Sequence, residues 1–323
     1  MLIPTPLLFS FLLCLCPPCL SPFQLSLPPD THHSHSSSKA SQHQGKERRI
    51  TKRLLDPAHL RVEYWTLISR EQNPKMDSDE DEVLHSSYGR KVINIGDVLV
   101  RKKGDNLRPC EPETLQFIAE HTTIPVPKVQ DTDWQDGRLK CIIMDFVPGK
   151  PLDQIWVDLT VQQKLDIAHE LHGYVRQLRS LRGDYIGAIN RRQAVFGQRS
   201  PIECGPFESE REWNAFILED IVSTAPRMMR HLARYCLSRK HQIVFTHGDL
   251  VPRNILIDEK TFKVAAILDW EESGWYPEHW EYIKAYQHLQ PMTDWPDVLA
   301  HILPLKYEKE YIGMSFLYPL LYH

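Results

Sequence analysis

The stretch FTHGDLVPRNILID, Phe245–Asp258, sets His247, Asp249, Arg253 and Asn254 into an otherwise apolar run. A buried polar atom without a partner costs on the order of 1–3 kcal/mol, so such groups gather only where something uses them. IVFTHGDL begins as a strand and breaks at Gly248, while NILID and FKVAAILDW, separated by EKT, read as a hairpin. His247, Asp249 and Asn254 then sit in the loop entering that hairpin, and Asp269 ends its second strand, close to Asn254. A carboxylate and an amide presented together suit a hard, oxygen-seeking cation.

These groups need a frame. KVINIGDVLVRKKG, Lys91–Gly104, is rich in β-branched residues and predicts two short strands turning near Gly96 and Asp97. Alternation puts Val98, Val100 and Lys102 on one strand face, so a lysine closes an apolar row. EPETLQFIAEHT, Glu111–Thr122, predicts a helix with acidic residues in its first turn, where the helix dipole favours them. Leu139–Met144 reads as a buried strand stopping at a Pro-Gly break, which places a hinge near Asp145–Gly149. Beyond it helices dominate. Thr160 and Gln163 are spaced as a capping box, and Leu165, Ala168, Leu171, His172, Val175 and Leu178 form one stripe. The expected fold class is α+β: a small β-rich N-terminal lobe and a larger, mainly helical C-terminal lobe.

HGDLVPRN followed by ILDWE resembles the catalytic loop and metal-binding aspartate of the aminoglycoside phosphotransferase and choline kinase-like family, small-molecule relatives of the protein kinases. The protein-kinase pattern H-R-D-L-x-x-x-N is matched at each fixed place but the second, where Gly248 replaces arginine. That replacement favours the small-molecule branch. The resemblance runs from about Lys91 to the C-terminus, and the segment GWYPEHWEY, Gly274–Tyr282, is similar to fungal members.

The resemblance implies a bilobal protein-kinase-like fold and an ATP- and magnesium-dependent transfer of the γ-phosphate to a small-molecule hydroxyl. Phosphoryl transfer needs an orienting carboxylate at the attacking hydroxyl and cations on the developing charge. Asp249 would take the first role, and Asn254 and Asp269 would hold Mg2+. His247 would brace the loop, and Arg253 would pair with a carboxylate or touch phosphate. In the N-lobe, Lys102 matches the family's strand lysine on the phosphates, with Lys103 as alternative; Glu111 matches its glutamate partner, with Glu113 as alternative. Adenine would lie at the hinge against Asp145 and Val147, with Met144 at the back of the pocket. GRKVINIGDV lacks G-x-G-x-x-G, so the turn covering the phosphates is expected to be short. The other reading is a nucleotide-binding pseudokinase that keeps the fold for interaction, against which stands the intact set Asp249, Asn254, Asp269 and a strand lysine. A protein kinase would carry an A-P-E segment after Asp269, and none follows.

Composition agrees with this class. The 323 residues are 42% hydrophobic and 25% charged with a net charge of -4, which gives no global basic field for nucleic acid. DWEESGWYPEHWEY interleaves Trp270, Glu271, Glu272, Trp275 and Trp280, and carboxylates among indoles suit a cationic acceptor; a packed aromatic core is the preferred reading for Trp275 and Trp280. Residues 1–50 join an apolar stretch to a polar, low-complexity segment expected to be disordered, whose His32, His33, His35 and His43 could hold a metal loosely. Leu7–Cys16 is too short to span a bilayer and lacks a preceding Lys or Arg, so no stable membrane insertion is expected. A cytoplasmic protein is the expectation, with the secretory pathway as alternative if residues 1–20 act as a signal peptide. A helical extension and acidic linker over 51–84, an N-lobe over 85–145 and a C-lobe over 146–323 complete the expected organisation.

Overall fold

Strand β1 (Glu82–Ser87) opens a five-stranded antiparallel sheet in the order β1-β2-β3-β5-β4, completed by β2 (Arg90–Ile95), β3 (Leu99–Gly104), β4 (Val129–Gln135) and β5 (Arg138–Asp145). The computed structural model describes residues 82–87, 89–197, 201–237, 240–287, 292, 294–303 and 305–323. All belong to one compact unit, Asp56–His323. The expectations for residues 1–81 lie outside the described residues; positions 82–84, expected to end a linker, are instead the start of β1.

The β2–β3 turn follows from its chemistry. Gly96 and Asp97 both have positive φ, at 60° and 55°, the combination that lets a two-residue turn match the twist of its strands. Asn94 Nδ2 donates to Asp97 Oδ1 at 2.6 Å, and the Asp97 N–H returns to Asn94 Oδ1 at 3.1 Å. Beneath the sheet, Val100, Leu139, Ile142 and Met144 form a small core, and helix α1 (Cys110–His121) connects β3 to β4.

After β5 the chain passes Gly149 into β6 (Lys150–Pro151), which pairs with β10 (Ile255–Ile257). β10 pairs in turn with β11 (Val264–Ile267), so the expected hairpin forms and the segment leaving the hinge is tied straight to it. Helix α2 (Val161–Ser180) packs behind this sheet, started by the predicted capping box, in which Thr160 and Gln163 satisfy each other's backbone N–H. Its buried face is Ile167, Ala168, Leu171, Val175 and Leu178. Leu165 is 37% exposed instead of lying in the stripe, while its neighbour Lys164 pairs with Asp294 and lies over the Trp156 ring. Each large apolar side chain on that face contributes roughly 1.5–3 kcal/mol.

A second core, holding Phe196, Trp213, Tyr276 and Trp280, lies among strands β7 (Ala194–Phe196), β8 (Ile202–Cys204), β9 (Ile243–Thr246) and β12 (Gly274–Pro277) and helices α3 (Glu210–Glu219), α4 (Arg227–Cys236), α5 (Trp280–Gln287) and α7 (Glu308–Leu317). Helix α6 (Trp295–Ile302) packs on α2. The stretch GWYP, Gly274–Pro277, is β12, paired antiparallel with β9. Trp280 packs against Phe196, Trp213 and Tyr276, and Trp275 against Phe117, Phe245 and Tyr185, as an aromatic core requires. Among the described residues no helix is long and apolar enough to cross a membrane.

Candidate active site

β9 delivers the loop that carries the polar cluster. His247 is fully buried; its Nδ1 accepts the Asp249 N–H at 3.1 Å, so the ring proton sits on Nε2 and is donated to the Leu268 carbonyl at 3.0 Å. One imidazole thereby ties the loop after β9 to the residue before Asp269. From α5, Glu281 accepts the N–H groups of His247 at 2.6 Å and Gly248 at 3.3 Å. Burial pushes the Glu281 carboxyl up, against the pull of His247 and the two N–H donors.

Asp249 Oδ2 accepts from Arg253 Nη2 at 2.6 Å and from Asn254 Nδ2 at 2.9 Å. Asn254 Nδ2 also donates to the Asp249 carbonyl, which fixes the amide so that its nitrogen faces Asp249. The Leu268 N–H donates to the Asn254 carbonyl at 2.8 Å, seating Asn254 beside the end of β11. There Asp269 takes φ 63° and ψ 62°, the left-handed region, which costs a residue with a Cβ roughly 1–2 kcal/mol. Strain of this kind persists where surrounding contacts hold a side chain in a required place.

From the N-lobe, Lys102 Nζ lies 2.8 Å from both Glu111 oxygens, 2.9 Å from Asp269 Oδ1 and 3.7 Å from Glu271 Oε2. Burial works against its charge, but Glu111, then Asp269 and Glu271, outweigh it and hold the ammonium above its ordinary range. Burial likewise pushes Glu111 up, to about 7, against the attraction of Lys102. Asp269 is pulled below its ordinary value by Lys102 in spite of its own burial. The carboxylates of Glu111, Asp269 and Glu271 converge closely enough to hold a cation, and the Lys102 ammonium already sits among them.

Of the predicted alternatives, Glu113 turns away to Arg192 and Asn190. Lys103, next to Lys102 in β3, alternates to the other face. Met144 is buried opposite Val100 and Val129, and Asp145 and Val147 lie where β5 leads into the hinge. The Asp145 N–H donates to the Lys128 carbonyl and the Phe146 N–H to the Val98 carbonyl, fixing that strand end. Arg90 and Glu281 had no signal in the sequence, and Glu271 was read there as an acceptor group, not as a partner of Arg90. Arg90 Nη1 contacts both Glu271 oxygens at 2.6 Å, so β2 closes over the start of the segment after Asp269. Trp270 is fully buried, Glu271 is paired with Arg90, and Glu272 is paired with Lys284 at 2.9 Å, so these residues give the expected cationic acceptor no support.

A β-sheet lobe hinged to a helical lobe, with a lysine–glutamate pair facing an aspartate loop, defines a protein-kinase-like fold. The sequence model of the phosphotransferase enzyme family APH matches residues 99–306, and the chain belongs to that family. The fold is shared with the GDP complex of a point mutant of aminoglycoside 2'-phosphotransferase IIIa, at 13% identity and TM-score 0.53, covering 80% of this chain and 87% of that one. It is shared equally with a GDP and kanamycin complex of APH(2")-IIIa, at 14% identity and TM-score 0.53, covering 80% and 89%. A thermostable APH(4)-Ia mutant bound to ADP and hygromycin B matches at 12% identity and TM-score 0.53, covering 79% and 88%. No curated protein sequence matches the chain.

Proposed function

We propose that this phosphotransferase moves the γ-phosphate of ATP to a hydroxyl of a small molecule. The observation that carries the reading is Lys102, held by Glu111 and aimed at Asp269 beside the Asp249–Asn254 loop. Lys102 is the cation for the nucleotide phosphates, and Glu111 keeps it extended. Asp145 and Val147 offer backbone groups to adenine, and Met144 lines the back of that pocket. Both side-chain hydrogen bonds to Asp249 fall on Oδ2, which among the described residues leaves Oδ1 to take or orient the hydroxyl proton. Arg253 and Asn254 hold that carboxylate still, and His247 holds the backbone that carries it.

The donor set fits magnesium: Asp269 supplies a carboxylate, and Asn254, with Nδ2 committed to Asp249, supplies an amide oxygen. Bound there, magnesium neutralises charge that develops on the transferred group. The acceptor is a small molecule. Kinship with fungal members rests on the segment Gly274–Tyr282, and the cytoplasm is the proposed compartment because it supplies ATP.

The test is ADP release from magnesium-ATP with a panel of hydroxyl-bearing metabolites, amines and aminoglycosides, on the parent and on Asp249→Asn. An acceptor-dependent rate in the parent is expected. The variant should bind ATP equally and turn over about 10²–10⁴-fold more slowly. Nucleotide binding without any acceptor-dependent release would make the chain a pseudokinase. Equal rates in the two proteins on a verified acceptor would remove Asp249 from catalysis.

A further inference from the structure

Glu210, His241 and His279 bring three ligand atoms within 4.8 Å of one another on the far side of β9 from the catalytic loop. Three separate segments supply them: Glu210 is the first residue of α3, His241 lies two residues before β9, and His279 immediately precedes α5. Glu210 and His279 are buried, at 7% and 6% exposure. Glu210 Oε1 lies 2.6 Å from His241 Nδ1, which lies 3.1 Å from His279 Nδ1.

Two ring nitrogens facing each other at that distance need a proton or a cation between them. The surrounding groups offer a cation a built site. Glu210 Oε2 accepts the His241 N–H at 3.1 Å, which aims Oε1 at the ring. His241 Nε2 lies 3.4 Å from Glu310 Oε1, so a second carboxylate stands at the outer nitrogen, where it can take the ring proton when Nδ1 binds a cation. Metal-bound histidines are almost always held in this way by an outer carboxylate, carbonyl or water.

We propose that Glu210, His241 and His279 form a site for a zinc-type divalent cation, with Glu310 orienting His241. Two imidazoles and one carboxylate suit zinc, whereas magnesium and calcium take oxygen donors. With bonds of about 2.0–2.1 Å, tetrahedral ligands stand roughly 3.3 Å apart, so the Glu210–His241 and His241–His279 pairs need only part by less than about 1 Å. The fourth position is a water's. The site is structural in consequence: it clamps the start of β9, which leads into His247, to α5, whose Glu281 holds the His247 and Gly248 N–H groups.

The test uses the full chain with His32, His33, His35 and His43 changed to alanine, so that the N-terminal histidines cannot compete. After chelation, Zn2+ is titrated against a chromophoric chelator, and melting is followed with and without Zn2+. One tight equivalent that raises the melting temperature is expected, together with loss of that equivalent in His279→Gln. Glu310→Gln keeps all three ligands and should bind roughly 10–100-fold more weakly, which keeps the test decisive should His279→Gln fail to fold. Absence of a tight equivalent in the parent would leave a shared proton between the two rings, and full retention of it in Glu310→Gln and in a folded His279→Gln would place the zinc elsewhere; either result would overturn the proposal.

Discussion

Lys102 reaches across the cleft to Asp269, 167 positions further along the chain, and stands 2.9 Å from its Oδ1. The contact has the energy to matter. Unit charges about 4 Å apart interact by about 4 kcal/mol at an effective dielectric near 20. The ammonium therefore partly satisfies a carboxylate that our reading gives to magnesium.

Removing that carboxylate separates its two roles. In Asp269→Ala, Lys102 keeps both Glu111 oxygens at 2.8 Å, so the lobe should stay folded. Magnesium-dependent ATP affinity should fall at least about tenfold, the equivalent of about 1.4 kcal/mol, with metal-free ATP binding little changed. Calorimetric titration with and without magnesium measures both. Equal magnesium-ATP affinity in parent and variant would remove Asp269 from the metal site.

Glu111 gives stability a pH dependence of known sign. Burial lifts its carboxyl from 4.5 to about 7. Between those values the folded protein binds more protons than the unfolded chain, so this contribution is whole below 4.5 and is lost as pH rises through about 7. Asp269, held low by Lys102, has the opposite sign and acts below 3.8, outside that window. Glu111→Gln cannot titrate, and its melting temperature should fall less than the parent's between about pH 5 and about pH 8. Because His241 and His279 titrate in both proteins, the difference isolates Glu111. Parallel melting curves would place the effect elsewhere.

Glu281 supports the catalytic loop through two backbone donors, at 2.6 and 3.3 Å. Glu281→Ala leaves both N–H groups buried without an acceptor, at on the order of 1–3 kcal/mol each. Urea unfolding should show a loss of roughly 2–5 kcal/mol, and Glu281→Gln, which keeps one acceptor oxygen, a smaller one. If the alanine variant unfolds at the parent's midpoint, the carboxylate does not hold the loop.

Local signals were legible in the sequence. Strand alternation put Lys102 after Val100 on the inner face, Gly96 and Asp97 marked a turn that does take two positive φ values, and the Thr160–Gln163 box starts α2. Contacts between distant segments were not. Arg90 and Glu271 are 181 positions apart, and neither has a local pattern that announces a partner. β1 was hidden because EVLHSS is an exposed edge strand with no buried alternation to read. Glu271 and Glu272 looked like acceptor groups because a sequence shows charges and not the Arg90 and Lys284 that neutralise them.

Gly248 is the one position where the loop departs from the protein-kinase pattern, and the backbone gives the reason. Its φ is +85°, and a Cβ there would stand 2.6 Å from the Glu272 carbonyl oxygen. Backbone cannot move aside as a flexible side chain can, and Glu272 sits just past Asp269, so any side chain at 248 pushes the Asp249 loop away from the Asp269 turn. Gly89, with φ +78° and nothing within 4 Å of its added Cβ, has the same backbone strain without the clash. Gly248→Ala and Gly89→Ala therefore form a matched pair. Both should lose stability, but Gly248→Ala should lose at least about 1 kcal/mol more by urea unfolding and should also weaken magnesium-ATP binding. Gly248→Arg, which restores the residue of the protein-kinase pattern, should behave no better than alanine. Equal losses at the two glycines, with nucleotide affinity intact, would mean that the close approach of Gly248 to Glu272 has no part in setting the geometry of Asp249 and Asp269.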